Sequence, residues 1–179
     1  MKPILDATAG NRAMWKNKNP PNVVFLDREK NLATPPDVIA VWQHLPFRDN
    51  SFETVLFDPP HDKFSPSSVH MDPKGWHNGR IENGRKIGGT FWGSLEKGWA
   101  GIFYSAQKEF SRISNRLCLK WNNSRHPLET VLSLFENWVE SLRKEHNSKM
   151  RRGKTQTWWV TLEKQTKRTV NSKRKRIDE

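Results

Sequence analysis

The chain has 179 residues, enough for one domain with a tail, and its single cysteine, Cys118, excludes a disulfide framework and any multi-cysteine zinc site. Nine Trp and nine Phe offset a hydrophobic share of only 34%, so a packed core can form and wholesale disorder is excluded. Thirty-one Lys and Arg against nineteen Asp and Glu give a net charge of +12. The last fourteen residues hold six basic side chains against Asp178 and Glu179, so a net +8 stays on the body and a polyanion is the natural partner.

No apolar run approaches the roughly 20 residues needed to cross a bilayer. The opening MKPILDATAG has no secretory pattern, so a cytoplasmic protein without membrane attachment is expected.

Along the chain, Pro3 to Gly10 reads as a buried strand running into a tight loop of small residues. Arg12 to Lys18 reads as a helical turn stopped by Pro20 and Pro21. Val23 to Asp27 is a second buried strand, Val38 to Trp42 a third and Phe52 to Asp58 a fourth. Residues 62–99 change character: Gly, Asn, Lys and His dominate, with Trp76 and Trp92 embedded. A stretch this long between regular elements is expected to be a functional loop.

Gly101 to Ser111 reads as a helix and Arg116 to Trp121 as a fifth strand. Pro127 to Arg143 carries Leu128, Val131, Leu132, Phe135, Trp138, Val139 and Leu142 at helical spacing, which predicts an amphipathic helix. Thr155 to Leu162 reads as a late strand on which Trp158 and Trp159 divide between core and surface. The expected domain is 1–165, followed by a basic, disordered tail over 166–179.

Strands alternating with helices predict an α/β fold with a mostly parallel central sheet, which binds ligands beyond the carboxyl ends of its strands. Asp6, Asp27 and Asp58 sit at three such ends. Gly10 is the only glycine in the first loop, so a pyrophosphate-binding fingerprint is absent. A carboxylate at Asp27 suits two vicinal ribose hydroxyls. Asp6 with the Ala9–Gly10 backbone suits an amino-acid zwitterion. A nucleoside joined to an amino acid is S-adenosylmethionine.

With these residues in place, the chain resembles the class I S-adenosylmethionine-dependent methyltransferases. The matching pieces are Leu5-Asp6-Ala7-Thr8-Ala9-Gly10, Phe25-Leu26-Asp27, Leu45 to Phe52, and Phe57-Asp58-Pro59-Pro60-His61. They occur in the family's order, and Leu119-Lys120-Trp121-Asn122 and the late strand extend the likeness. The chain is similar in particular to archaeal small-subunit rRNA cytidine N4-methyltransferases.

The resemblance implies a Rossmann-like class I fold and a role for Asp58, Pro59, Pro60 and His61 in methylating an exocyclic base amine. Such an amine is a poor nucleophile because its lone pair is delocalised into the ring. Asp58 and the Pro59 carbonyl accept its hydrogens, and two prolines fix those acceptors in advance. His61 takes the family's aromatic position and is expected to stack on the flipped base. On the cofactor side the expected residues are Asp6, Ala7, Ala9, Gly10, Arg12, Asp27, Arg28 and Trp42, with Arg12 pairing the methionine carboxylate. Many relatives carry Asp where this chain has Val41, which leaves the adenine to the backbone of Trp42 and apolar packing.

Basic residues interleaved with aromatics predict RNA contact by Lys74, Trp76, Arg80, Arg85 and Lys86 in the long loop. Lys120, Trp121 and Asn122 are expected beside the base, and Arg151 and Arg152 belong to a basic stretch suited to phosphates. His70, Asp72 and His77 match no metal-ligand spacing, so no metal is expected. The predicted partner is RNA, foremost rRNA or an assembling small ribosomal subunit, with N4-methylcytidine or its dimethyl form as product. The alternatives are an N6-adenine methyltransferase of RNA or DNA, and a non-catalytic RNA-binding protein on the same scaffold.

Overall fold

The computed structural model describes residues 3–59, 80–82, 85–87, 99–123, 126–146 and 156–165. Four short parallel strands come first: β1 (Ile4–Asp6), β2 (Val23–Asp27), β3 (Val38–Ile39) and β4 (Thr54–Phe57). A two-stranded antiparallel ribbon, β5 (Arg80–Glu82) and β6 (Arg85–Ile87), lies within the long loop. Helix α1 (Trp99–Ile113) leads into β7 (Arg116–Asn122). A short helix α2 (Leu128–Leu132) then precedes β8 (Trp138–His146) and β9 (Thr157–Lys164).

Seven strands form one sheet in the order β3-β2-β1-β4-β7-β9-β8. The first five pair parallel, and β9 runs antiparallel to both its neighbours. The expected mostly parallel α/β architecture is therefore present. The strand order reverses between β1 and β4, and a sheet of this kind opens a crevice at that reversal, beyond the strands' carboxyl ends.

The larger core lies on one face, and a smaller cluster of Ala9, Val23 and Phe25 with Trp15 lies on the other. Val55 and Phe57 of β4, Leu117, Leu119 and Trp121 of β7, and Val160 and Leu162 of β9 all point to the larger core, because alternate residues of a strand share a face. Helix α1 lays Phe103, Ala106, Phe110 and Ile113 on them at helical spacing. Phe103 meets the rings of Trp42, Phe57, Trp99 and Trp121 edge-on, with centroids 5.3–6.2 Å apart. Phe103→Ala should therefore cost about 3–5 kcal/mol. For a chain of this length that lowers the melting temperature by roughly 10 °C or more. Thermal unfolding followed by circular dichroism checks this, and a loss under 1 kcal/mol would place the centre of the core elsewhere.

Two expected elements differ. The helix predicted over Pro127 to Arg143 stops at Leu132; Ser133 caps it, turns follow, and Trp138 begins β8. The helical spacing of Leu128, Val131, Phe135 and Trp138 is real, but only Leu128 and Val131 use it within a helix. Pairing decides the rest: β8 matches β9 from Trp138↔Lys164 to His146↔Thr157, with an irregularity between Glu140 and Leu142. That ladder gives β9 its second partner and leaves Leu142 63% exposed, the reverse of its predicted role on an apolar helix face. The third strand is also shorter than predicted. It ends at Ile39, and Val41 bridges His44 across a turn that drops Trp42 into the core. The expected helical turn over Arg12 to Lys18 is a run of turns without a helix.

Candidate active site

The carboxyl ends of β1, β2 and β4 bring Asp6, Asp27 and Asp58 to one end of the sheet, as expected. Alternation places Asp6 and Asp27 on the face opposite α1. The loop between β1 and β2 ties the three together. Asp6 Oδ1 accepts from the Thr8 N–H at 3.0 Å, and Thr8 Oγ1 accepts from the Asp58 N–H at 2.8 Å. Asp27 Oδ2 accepts from the Gly10 N–H at 2.8 Å. Gly10 holds φ +48°, a left-handed conformation that favours glycine. A Cβ there would meet nothing within 4 Å, so the requirement is conformational rather than steric.

Asp6 is fully buried, and its second oxygen accepts from Trp15 Nε1 at 2.7 Å. Burial pushes its carboxyl up to about 6, with the nearby charges of Asp58 and Asp27 adding to the rise and the Trp15 and Thr8 bonds opposing it. Asp27 is raised in the same direction, again by burial. Its oxygens take backbone N–H groups from Gly10, Arg28 and Glu29. A carboxylate offers about four acceptor positions, and these backbone donors occupy part of that capacity.

Asp58 lies just past β4. Its Oδ2 is 2.7 Å from Lys120 Nζ of β7, and the two side chains are 18% and 23% exposed. Of the three residues expected from β7, Lys120 reaches Asp58. Trp121 is buried in the core against Phe103 and donates from Nε1 to the His126 carbonyl at 3.0 Å, so its expected contact with a base gives way to packing. Asn122 is buried and donates to Thr157 Oγ1 at 2.7 Å across the β7–β9 pair.

Arg12 is also placed differently from expectation. Its guanidinium donates to the Lys18 and Pro35 carbonyls and to Asn19 Oδ1, lies 3.4 Å from Asp37 Oδ1, and covers the Phe25 ring at 3.9 Å. These contacts clamp the β1–β2 loop to the segment before β3, with Arg12 itself at φ 56°. Its partners are protein groups, and the geometry assigns it to the loop rather than to a carboxylate ligand. Trp42 donates from Nε1 to the Ala7 carbonyl at 2.7 Å and packs on Phe57, so it supports the β1 loop from the core side. Ala7 and Ala9 are buried, their N–H groups donating to the Leu56 and Leu26 carbonyls. Arg28 is exposed beside Asp27.

Thr8 and Trp15 connect Asp6 to Asp58 and to the loop. A threonine among small residues carries no signal of its own; only the three-dimensional closeness of β1 and β4 reveals it. Pro59 is buried at the site. Pro60, His61, Lys74, Trp76, Arg151 and Arg152 lie outside the described residues, as do the side chains of Arg80, Arg85 and Lys86. Among the described residues no group of His, Cys, Asp and Glu is arranged to hold a metal ion, and no helix is long and apolar enough to cross a membrane.

No family model matches the chain, and no curated protein sequence matches it. Solved structures do. The PH0226 protein from Pyrococcus horikoshii OT3 is similar over 90% of this chain and 81% of its own, at 10% identity and a TM-score of 0.57. The N-methyltransferase NodS from Bradyrhizobium japonicum WM9 is similar over 92% of this chain and 86% of its own, at 10% identity and a TM-score of 0.51. With the seven-stranded order above, these likenesses identify the fold as the Rossmann-like class I methyltransferase fold.

Proposed function

We propose that the chain is an S-adenosylmethionine-dependent methyltransferase acting on an exocyclic base amine of RNA, foremost N4 of a cytidine in small-subunit rRNA. The observation that carries this reading is the placement of Asp58 at the switch point of the sheet, beside Asp6 and across from Asp27, with the Asp58-Pro59-Pro60-His61 sequence following β4. The net charge of +12 supports a polyanionic substrate.

The donor set suits the cofactor. Asp27 has acceptor capacity for a ribose hydroxyl, and Asp6, at the start of the loop that carries Ala9 and Gly10, sets a buried negative charge that matches a methionyl ammonium. The bound cofactor supplies an electrophilic methyl group on a sulfonium. The chain supplies position and acceptors. Asp58 accepts a hydrogen of the amine and draws the nitrogen toward tetrahedral geometry, and its backbone is already fixed by Thr8. Lys120 fixes the side chain and balances its charge.

The Asp6 carboxyl sets a pH dependence. Its pKa is raised from 3.8 to about 6 in the fold, so its protonated form adds stability at acid pH that is lost as pH rises through about 6. A cationic ammonium binds the ionised form. Cofactor affinity should therefore fall as pH drops below about 6, by up to roughly tenfold per unit. Calorimetry at pH 5 and pH 7 reads this directly, and equal affinities would remove Asp6 from cofactor recognition.

The test of the function is incubation of the full chain with methyl-labelled cofactor and, in parallel, small-subunit rRNA, duplex DNA and free nucleosides. Label in rRNA alone is the expected result. Label only in DNA points to the adenine or cytosine methyltransferases of DNA and overturns the RNA reading.

A further inference from the structure

On the sheet face opposite α1, one cross-strand row leads away from Asp58. In the β7–β9 register Lys120 sits opposite Trp159, and in the β8–β9 register Trp159 sits opposite Lys144. Cross-strand partners share a face, so Asp58, Lys120, Trp159 and Lys144 line up over three strand spacings, about 14 Å. Lys120 Nζ bridges the first gap, 2.7 Å from Asp58 and 5.8 Å from the centre of the Trp159 ring. The next row toward the carboxyl ends of β7 and β8 is Asn122, Thr157 and His146, which is polar.

The two neighbouring tryptophans of β9 have opposite fates. Trp158 packs against the core and lies under the Arg143 guanidinium, which is itself spent on Glu129 and Glu140. Trp159, half-buried, faces away from the core and the helices. Lys144 is exposed and has no ion-pair partner among the described residues. On this face of the last three strands the acidic side chain among the described residues is Glu163, two rows back and paired with Arg116 at 2.8 Å. A large half-buried ring flanked by two cations, with negative charge neutralised at its near end, is the chemistry of a base-stacking platform with phosphate contacts.

We propose that Lys120, Trp159 and Lys144 form a track for the single-stranded nucleic acid adjoining the target base, with a neighbouring base stacked on Trp159 and a phosphate held by Lys144. The proposal rests on the reading that the Asp58 site methylates a base in RNA. It gives the chain a way to hold an unpaired strand beside the Asp58 carboxylate.

The experiment uses the full chain, a short fluorescent single-stranded RNA and S-adenosylmethionine as probes. Trp159→Ala should weaken RNA binding by about 5- to 100-fold, while Trp159→Phe keeps most of it because a ring remains. Lys144→Gln should lower the slope of log affinity against log salt by about 0.7. All three variants should bind S-adenosylmethionine like the parent chain, which also reports that they fold. A Trp159→Ala variant that binds the cofactor normally and the RNA as tightly as the parent would overturn the track. So would an unchanged salt slope for Lys144→Gln together with that result. A parent chain that binds the cofactor but neither this RNA nor rRNA would instead sink the functional reading on which the track rests.

Discussion

Asp58→Ala is expected to reduce single-turnover methyl transfer by at least 10²–10³-fold, the usual order for removing one preorganised acceptor, while leaving S-adenosylmethionine affinity nearly unchanged. The side chain stands past β4, with its carboxylate on Lys120, whereas the Gly10 N–H of the β1–β2 loop is held by Asp27. Its own N–H donates to Thr8 Oγ1, and that bond survives the substitution. The lysine left behind is a cation without its nearest counter-ion at the acceptor position, which repels a nitrogen gaining positive charge and adds to the loss. Asp58→Asn keeps the size and removes the charge, so it separates the two effects. A rate near that of the parent in Asp58→Ala would remove this carboxylate from the chemistry.

Asp27→Ala should act the other way, weakening S-adenosylmethionine by roughly 10- to 100-fold, as for loss of a hydrogen bond to a charged group worth about 1.5–3 kcal/mol. The effect has two physical parts. The acceptor capacity of Asp27 is lost to the ribose, and the Gly10 and Glu29 N–H groups lose the acceptor that shapes the β1–β2 and β2–β3 loops. The second part also lowers stability, because Asp27 is 2% exposed and leaves unpaired donors behind. Thermal unfolding without cofactor measures that part, and a cofactor titration measures the sum. Unchanged cofactor affinity would mean that the end of β2 does not face the ribose.

The central sheet and its acidic strand ends were legible in the sequence because each strand carries a local signal. Val23 to Asp27 and Thr54 to Phe57 are short apolar runs that close on polar residues. The split of Trp158 from Trp159 followed from alternation alone. What failed was a choice between two periodicities. Leu128 to Leu142 satisfied a helical pattern, yet its second half pairs with β9, a contact set by the fold rather than by neighbours in the chain. The site was legible in its carboxylates and illegible in its supports. Arg12 looked like an anion partner because it sits in the right loop, but four carbonyl and side-chain oxygens from residues 18, 19, 35 and 37 surround it, and two of those lie more than twenty residues away. Lys120 was expected near a base; that it meets Asp58 directly depends on the parallel pairing of β4 with β7.

The atom that receives the methyl group tests the account most directly. Purified chain is incubated with methyl-labelled S-adenosylmethionine and small-subunit rRNA, the RNA is digested to nucleosides, and the labelled product is identified by mass spectrometry. An acceptor carboxylate at Asp58 that draws out an amine lone pair predicts label on an exocyclic nitrogen, N4 of cytidine first. Label on a ring carbon, which has no amine hydrogen for Asp58 to accept, would contradict the account.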